Sequence, residues 1–140
     1  MLLADSSLAE VQLRYADRYR AIIPRLWRLC RFCLNEIEDP PHAMFGCNGS
    51  SELVSLRTTF LNTVFSMSGS LHCAALSATP ASFLSLVLAH RPLSDILAKF
   101  AYDTLQIFEK TEMYIADYTL YHNDAPAVIL SNSMPRNSML

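Results

Sequence analysis

Thr79-Pro80-Ala81-Ser82-Phe83-Leu84-Ser85-Leu86-Val87-Leu88-Ala89-His90-Arg91-Pro92 puts Phe83, Leu84, Leu86, Val87 and Leu88 on all sides of a helical projection. Thr79 is a helix-capping residue. Pro80 suits the first helical position, where its missing N–H is no loss. Arg91-Pro92 closes the run. A helix that is apolar all round belongs inside a fold, so residues 80–90 are expected to form a central helix with the other elements packed around it.

Downstream, Leu93, Ile96, Leu97, Phe100, Leu105, Phe108, Ile115 and Tyr118 recur at helical steps, with Asp95, Lys99, Asp103, Gln106, Lys110 and Asp117 off the stripe. This predicts one long last helix running to about Tyr121. Upstream, Ser50 or Ser51 caps a helix whose core face is Leu53, Leu56, Phe60, Leu61, Val64 and Phe65. Ser68-Gly69-Ser70 breaks it, and residues 71–78 form a short helix of their own.

The first third carries another stripe: Leu8, Val11, Tyr15, Tyr19, Ile22, Leu26, Cys30, Cys33 and Ile37. Ser7 and Glu10 have capping-box spacing at its start. Pro24 interrupts the stripe without shifting its phase, which reads as one kinked helix. Glu36 to Pro41 ends it. The prediction is an all-α, compact bundle of about five helices around residues 80–90, with a kinked N-terminal helix and a long C-terminal one. Residues 1–122 make a single domain. Residues 123–140, with two prolines, three asparagines and no period, make a flexible tail in which residues 127–130 could dock or serve as a peptide ligand.

The three glycines, Gly46, Gly49 and Gly69, exclude both a dinucleotide fingerprint and a P-loop, each of which needs closely spaced glycines. Apolar residues 1–4 stop at Asp5, short of a secretory signal, and no run approaches the ~18 apolar residues of a spanning helix. The expected setting is soluble and intracellular, cytoplasm or nucleus, with reduced cysteines. Asn48-Gly49-Ser50 matches a glycosylation acceptor that such a setting leaves idle.

Cys30-x2-Cys33-x8-His42-x4-Cys47 has the donor types and pairwise spacing of a zinc site, which takes four nitrogen or sulfur ligands in a tetrahedron. His72 and Cys73 are an alternative second pair. The competing reading, and the one adopted for these cysteines, is small core residues without a metal, since Cys30 and Cys33 fall on the apolar stripe and reduced cysteine is among the most buried residue types.

Six of the eleven basic residues are arginines between positions 14 and 31. On a helix, Arg14, Arg18, Arg25 and Arg28 share one outward side with Phe32, and Trp27 also lies off the core stripe. Arginine beside exposed aromatic rings is the composition of an interaction hot spot. Pairing within the chain, with the rings turned inward, is the plain alternative. Net charge of −2 argues against nucleic acid, whose partners are distinctly basic.

No Gly-x-Ser-x-Gly or His-Glu-x-x-His motif is present, and His42, His72, His90 and His122 are scattered. The sequence reads as a non-catalytic helical interaction or adaptor module without a cofactor, binding a protein partner or a second copy of itself through Arg14, Arg18, Arg25, Arg28 and Phe32. A chain with two lysines and a compact fold plus tail would suit a viral accessory or regulatory protein. The alternatives are a zinc-stabilised adaptor using Cys30, Cys33, His42 and Cys47, and nucleic-acid binding through the arginine-rich first helix.

Overall fold

The computed structural model describes residues 7–15 and 21–121. The chain is all-α: the described residues hold six α-helices and no strand. They are α1 (Ala9–Gln12), α2 (Ser51–Met67), α3 (Gly69–Ala75), α4 (Pro80–Ala89), α5 (Ser94–Glu109) and α6 (Tyr118–Tyr121). The boundary expected after residue 122, and the tail beyond it, lie outside the described residues.

The starts of α2 and α4 are set by the side chains that cap them. Ser50 Oγ accepts from Leu53 N–H at 3.5 Å, and Thr79 Oγ1 accepts from Ser82 N–H at 3.2 Å, with Pro80 in the first turn. α2 and α5 pack face to face and are welded by aromatic rings. Phe60 stacks on Phe100 with centroids 4.2 Å apart, and Phe45 meets Phe83 edge-on at 5.0 Å. Val64, Leu71, Val87, Leu93 and Leu97 complete this core.

α4 is not central. It buries only Phe83 and Val87 in that core, and it leaves Leu86 44% and Leu88 55% exposed. The core instead lies between α2 and α5, with α4 laid against one side of it.

The single kinked helix expected over the first third is also absent. After α1, residues 21–24 are irregular, Arg25–Trp27 is one 3-10 turn, and Leu29 pairs with Ile37 in an isolated antiparallel bridge around a tight turn. Ser7 does not cap α1. Ala9 N–H instead donates to the buried carboxylate of Glu38 at 2.9 Å. Apolar spacing of three and four is satisfied here by a compact coil whose residues fill two small cores of their own. One is Leu8, Cys30, Cys33, Ala43, Cys47, Leu53 and Phe108; the other is Ala9, Leu13, Ile23, Trp27, Leu29 and Ala116.

The last helix is shorter than its stripe. α5 ends at Glu109, where Arg31 takes the carbonyl of Phe108 at 2.8 Å and, just past the helix, that of Thr111 at 2.9 Å. A cation at a helix C-terminus also suits the dipole, whereas Glu109 and Glu112 oppose continuation. Residues 112–117 run on without helix and return to Trp27, which Tyr121 meets at 6.4 Å.

Candidate metal centre

The turn between Leu29 and Ile37 carries the first two candidate ligands. Glu36 carbonyl accepts from Cys30 N–H at 2.8 Å and Cys30 carbonyl accepts from Leu34 N–H at 2.9 Å, so the chain reverses around Cys33. Leu34, directly after Cys33, adopts φ 53°, the one left-handed non-glycine among the described residues. An L-residue there costs roughly 1–2 kcal/mol. That conformation holds both thiols on the inside of the turn.

The second pair comes from one π-type turn, His42–Gly46. Asp39 Oδ1 accepts from His42 N–H at 2.9 Å, fixing its entry, and Cys47 N–H donates to His42 carbonyl at 2.8 Å, fixing its exit. The two turns are pressed together at Gly49. A Cβ there would sit 2.7 Å from the carbonyl carbon of Phe32 and 2.9 Å from Cys33 N, both backbone atoms, so no larger residue fits.

The result is a cluster of Cys30, Cys33, His42 and Cys47, all buried, whose ligand atoms all lie within 4.8 Å of one another. Cys30 Sγ and Cys47 Sγ are 3.6 Å apart, and Cys33 Sγ is 3.3 Å from His42 Nε2. A tetrahedral zinc with bonds of about 2.0–2.3 Å requires ligand atoms about 3.3–3.8 Å apart. The two close separations fall in that range, and the four donors are near enough together to converge on such an ion. The cluster does not fit a disulfide, whose sulfurs stand at about 2.05 Å, and the four cysteines are free.

The outer groups fit as well. His42 turns Nε2 to the thiols and Nδ1 outward, where it makes no hydrogen bond although Glu36 Oε2 lies 3.3 Å away, off the hydrogen-bond line. A metal-bound histidine ordinarily hands its other N–H to such a carboxylate. Gly49 N–H points at Cys47 Sγ from 3.4 Å. Buried Arg57 on α2 grips the loop from behind, donating to Met44 O, Cys47 O and Asn48 Oδ1. Burial pulls its pKa down and the charge at Cys47 opposes that.

The protonation pattern shows what crowding three thiols and an imidazole costs. Hydrogen bonds with Cys33 and Cys47, together with burial, push the Cys30 thiol up; hydrogen bonds from Cys30 and Cys47 push Cys33 down. Burial draws His42 down, but hydrogen bonds to Cys33 and Cys47 and their negative charge outweigh it and hold it at about 10. The downward shift of Cys33 and the upward shift of His42 both favour a charged pair where the two side chains meet.

No protein-family model, curated protein or solved structure matches this chain.

The alternative second pair is elsewhere. His72 stacks on Phe65 at 4.6 Å and Cys73 is exposed on α3. Nor do the five residues read as one helix face share a helix. Arg14 is exposed over the Tyr15 ring, and Arg18 lies outside the described residues. Arg25 pairs with Glu10 at 3.3 Å and Asp39 at 3.8 Å. Arg28 is buried, with Nε donating to Ile23 O and its guanidinium 3.4 Å from Glu10. Phe32 sits edge-on against Phe108 at 4.8 Å. Trp27 is fully buried. Sequence reading missed Glu38, Arg57 and Leu34. Only Gly49 carried a signal, as a glycine two residues before the next helix.

Proposed function

We propose that this chain is a zinc-stabilised helical adaptor, with one structural zinc held by Cys30, Cys33, His42 and Cys47. The observation that carries the reading is the convergence of four buried nitrogen and sulfur donors, all within 4.8 Å of one another, from two separate turns. With four protein ligands the site has no open position, and zinc that catalyses keeps one. The ion would be structural, and the chain non-catalytic.

The role of the metal follows from where the regular structure is missing. Residues 21–50 are built from short 3-10 and π turns and one isolated bridge rather than a long helix, and their buried side chains are divided between two separate cores. A metal cross-link at their centre would tie together turns that no continuous helix joins, as in other small metal-dependent folds. An adaptor's partner is then a protein rather than nucleic acid: net charge is −2, and Arg25 and Arg28 are spent on Glu10. No helix among the described residues is long and apolar enough to cross a membrane.

Elemental analysis of protein purified without added metal is the test. One equivalent of zinc, lost together with ordered structure on adding a chelator, is the expected result. Metal-free protein with an unchanged melt in chelator would overturn it.

A further inference from the structure

Residues 58–90 contain no Asp, Glu, Lys or Arg; all 11 basic and 13 acidic residues lie outside that stretch. The stretch comprises most of α2, all of α3 and all of α4. Much of it faces water. Ala81, Ser82, Ser85 and Ala89 form an exposed ridge of small side chains along α4, flanked by Leu86 on one side and Leu88 on the other. Leu76, at the end of α3, is 82% exposed.

An isolated domain solvates its outer helix faces with charged side chains, and an outer helix without them is anomalous. α4 has the composition of a buried helix and the position of a surface one. That mismatch is resolved if the helix is buried in an assembly.

We propose that the outer face of α4 is a self-association surface occupied by the same face of a second copy. The absence of charge selects the occupant. A charged partner would strand its ions against a face with nothing to pair them, which is expensive once water leaves. The matching surface must itself be uncharged, and this chain carries one. Two identical faces meeting about a two-fold axis satisfy the condition automatically. The ridge of small residues lets the two helices approach closely, and Leu86 and Leu88 close over its edges. An anionic lipid surface is disfavoured by the same fact, because membrane-surface helices use Lys and Arg on their polar face.

The interface is small. A ten-residue helix is about 15 Å long, and stable complexes bury about 800 Å² per partner. The dimer therefore forms in a concentration-dependent way and dissociates on dilution.

Sedimentation equilibrium of the full chain as purified, over a wide concentration series, tests this. The wild type is expected to pass from monomer to dimer. Ser85→Glu and Leu88→Glu are each expected to stay monomeric at every concentration with an unchanged thermal melt. Should Leu88→Glu lower the melt, Ser85→Glu reads the same face from a side chain already in water. A wild type that is monomeric throughout would overturn the proposal, as would a dimer that survives both substitutions. A monomer that co-sediments with phosphatidylcholine vesicles through this face would also overturn it.

Discussion

The guanidinium of Arg31 and the carboxylate of Glu38 form a buried ion pair that ties three parts of the chain together. Glu38 accepts from Ala9 N–H and Arg31 N–H, while Arg31 also reaches Ser7 O, Phe108 O in the last turn of α5 and Thr111 O just beyond it. Neither side chain can be removed without stranding the other. Glu38→Ala is expected to destabilise the fold by about 3–5 kcal/mol, measured by urea denaturation followed at Trp27.

Cys30→Ser, Cys33→Ser and Cys47→Ser are each expected to abolish stoichiometric zinc, whereas Cys73→Ser retains it. Inductively coupled plasma mass spectrometry on the four purified variants decides this. Equal metal content in all four would remove the assignment.

Metal binding is expected to weaken steeply as pH falls. In the metal-free site His42 titrates at about 10, above the 6.5 of free imidazole, and Cys30 is raised as well. Both therefore hold protons at neutral pH, and zinc requires both to leave. Each proton released lowers affinity about tenfold per unit of pH drop. Competition against a chromophoric chelator between pH 6 and 8 measures the slope. A pH-independent affinity would mean that these side chains do not bind the ion.

Leu34→Val is expected to cost about 1–2 kcal/mol, because a β-branched residue resists the left-handed conformation this position holds. Leu34→Asn keeps stability within about 0.5 kcal/mol, since asparagine visits that region readily. Thermal melts of the zinc-loaded proteins distinguish the two.

Gly49→Ala is expected to push the two ligand turns apart, since the new methyl meets backbone on both sides. Faster loss of zinc to a chelator in stopped flow, at unchanged α2–α5 helix content, is the signature.

The helices were legible wherever local chemistry sets them. Ser50, Thr79-Pro80 and Gly69 mark starts and breaks through capping and proline geometry, which act within four residues. The N-terminal coil was not legible, and the reason is specific. Cys30 and Cys33 stand three apart, a spacing that serves a helix face and a ligand-bearing turn equally well, and Pro24 without a phase shift reinforced the helix. What settles the matter is non-local: Glu38 capping α1, Gly49 against Phe32, and Arg31 ending α5. The four ligands were readable as a set of donors, but their convergence depends on Leu34 and on the π-turn at His42, neither of which leaves a mark in apolar periodicity. α4 was legible as a helix and misplaced as central, because composition reports how apolar a segment is and not which molecule covers it.

The bonds from Arg31 to Phe108 and Thr111 span 77 and 80 residues. A chain made from its N-terminus exposes Cys30, Cys33, His42 and Cys47 to solvent well before α5 exists to receive Arg31. The ligand turns are local and can close early, but their scaffold arrives last, after the slow search that long-range contacts impose. Order of synthesis would thus give a zinc ion access to the proposed centre before the finished fold seals it.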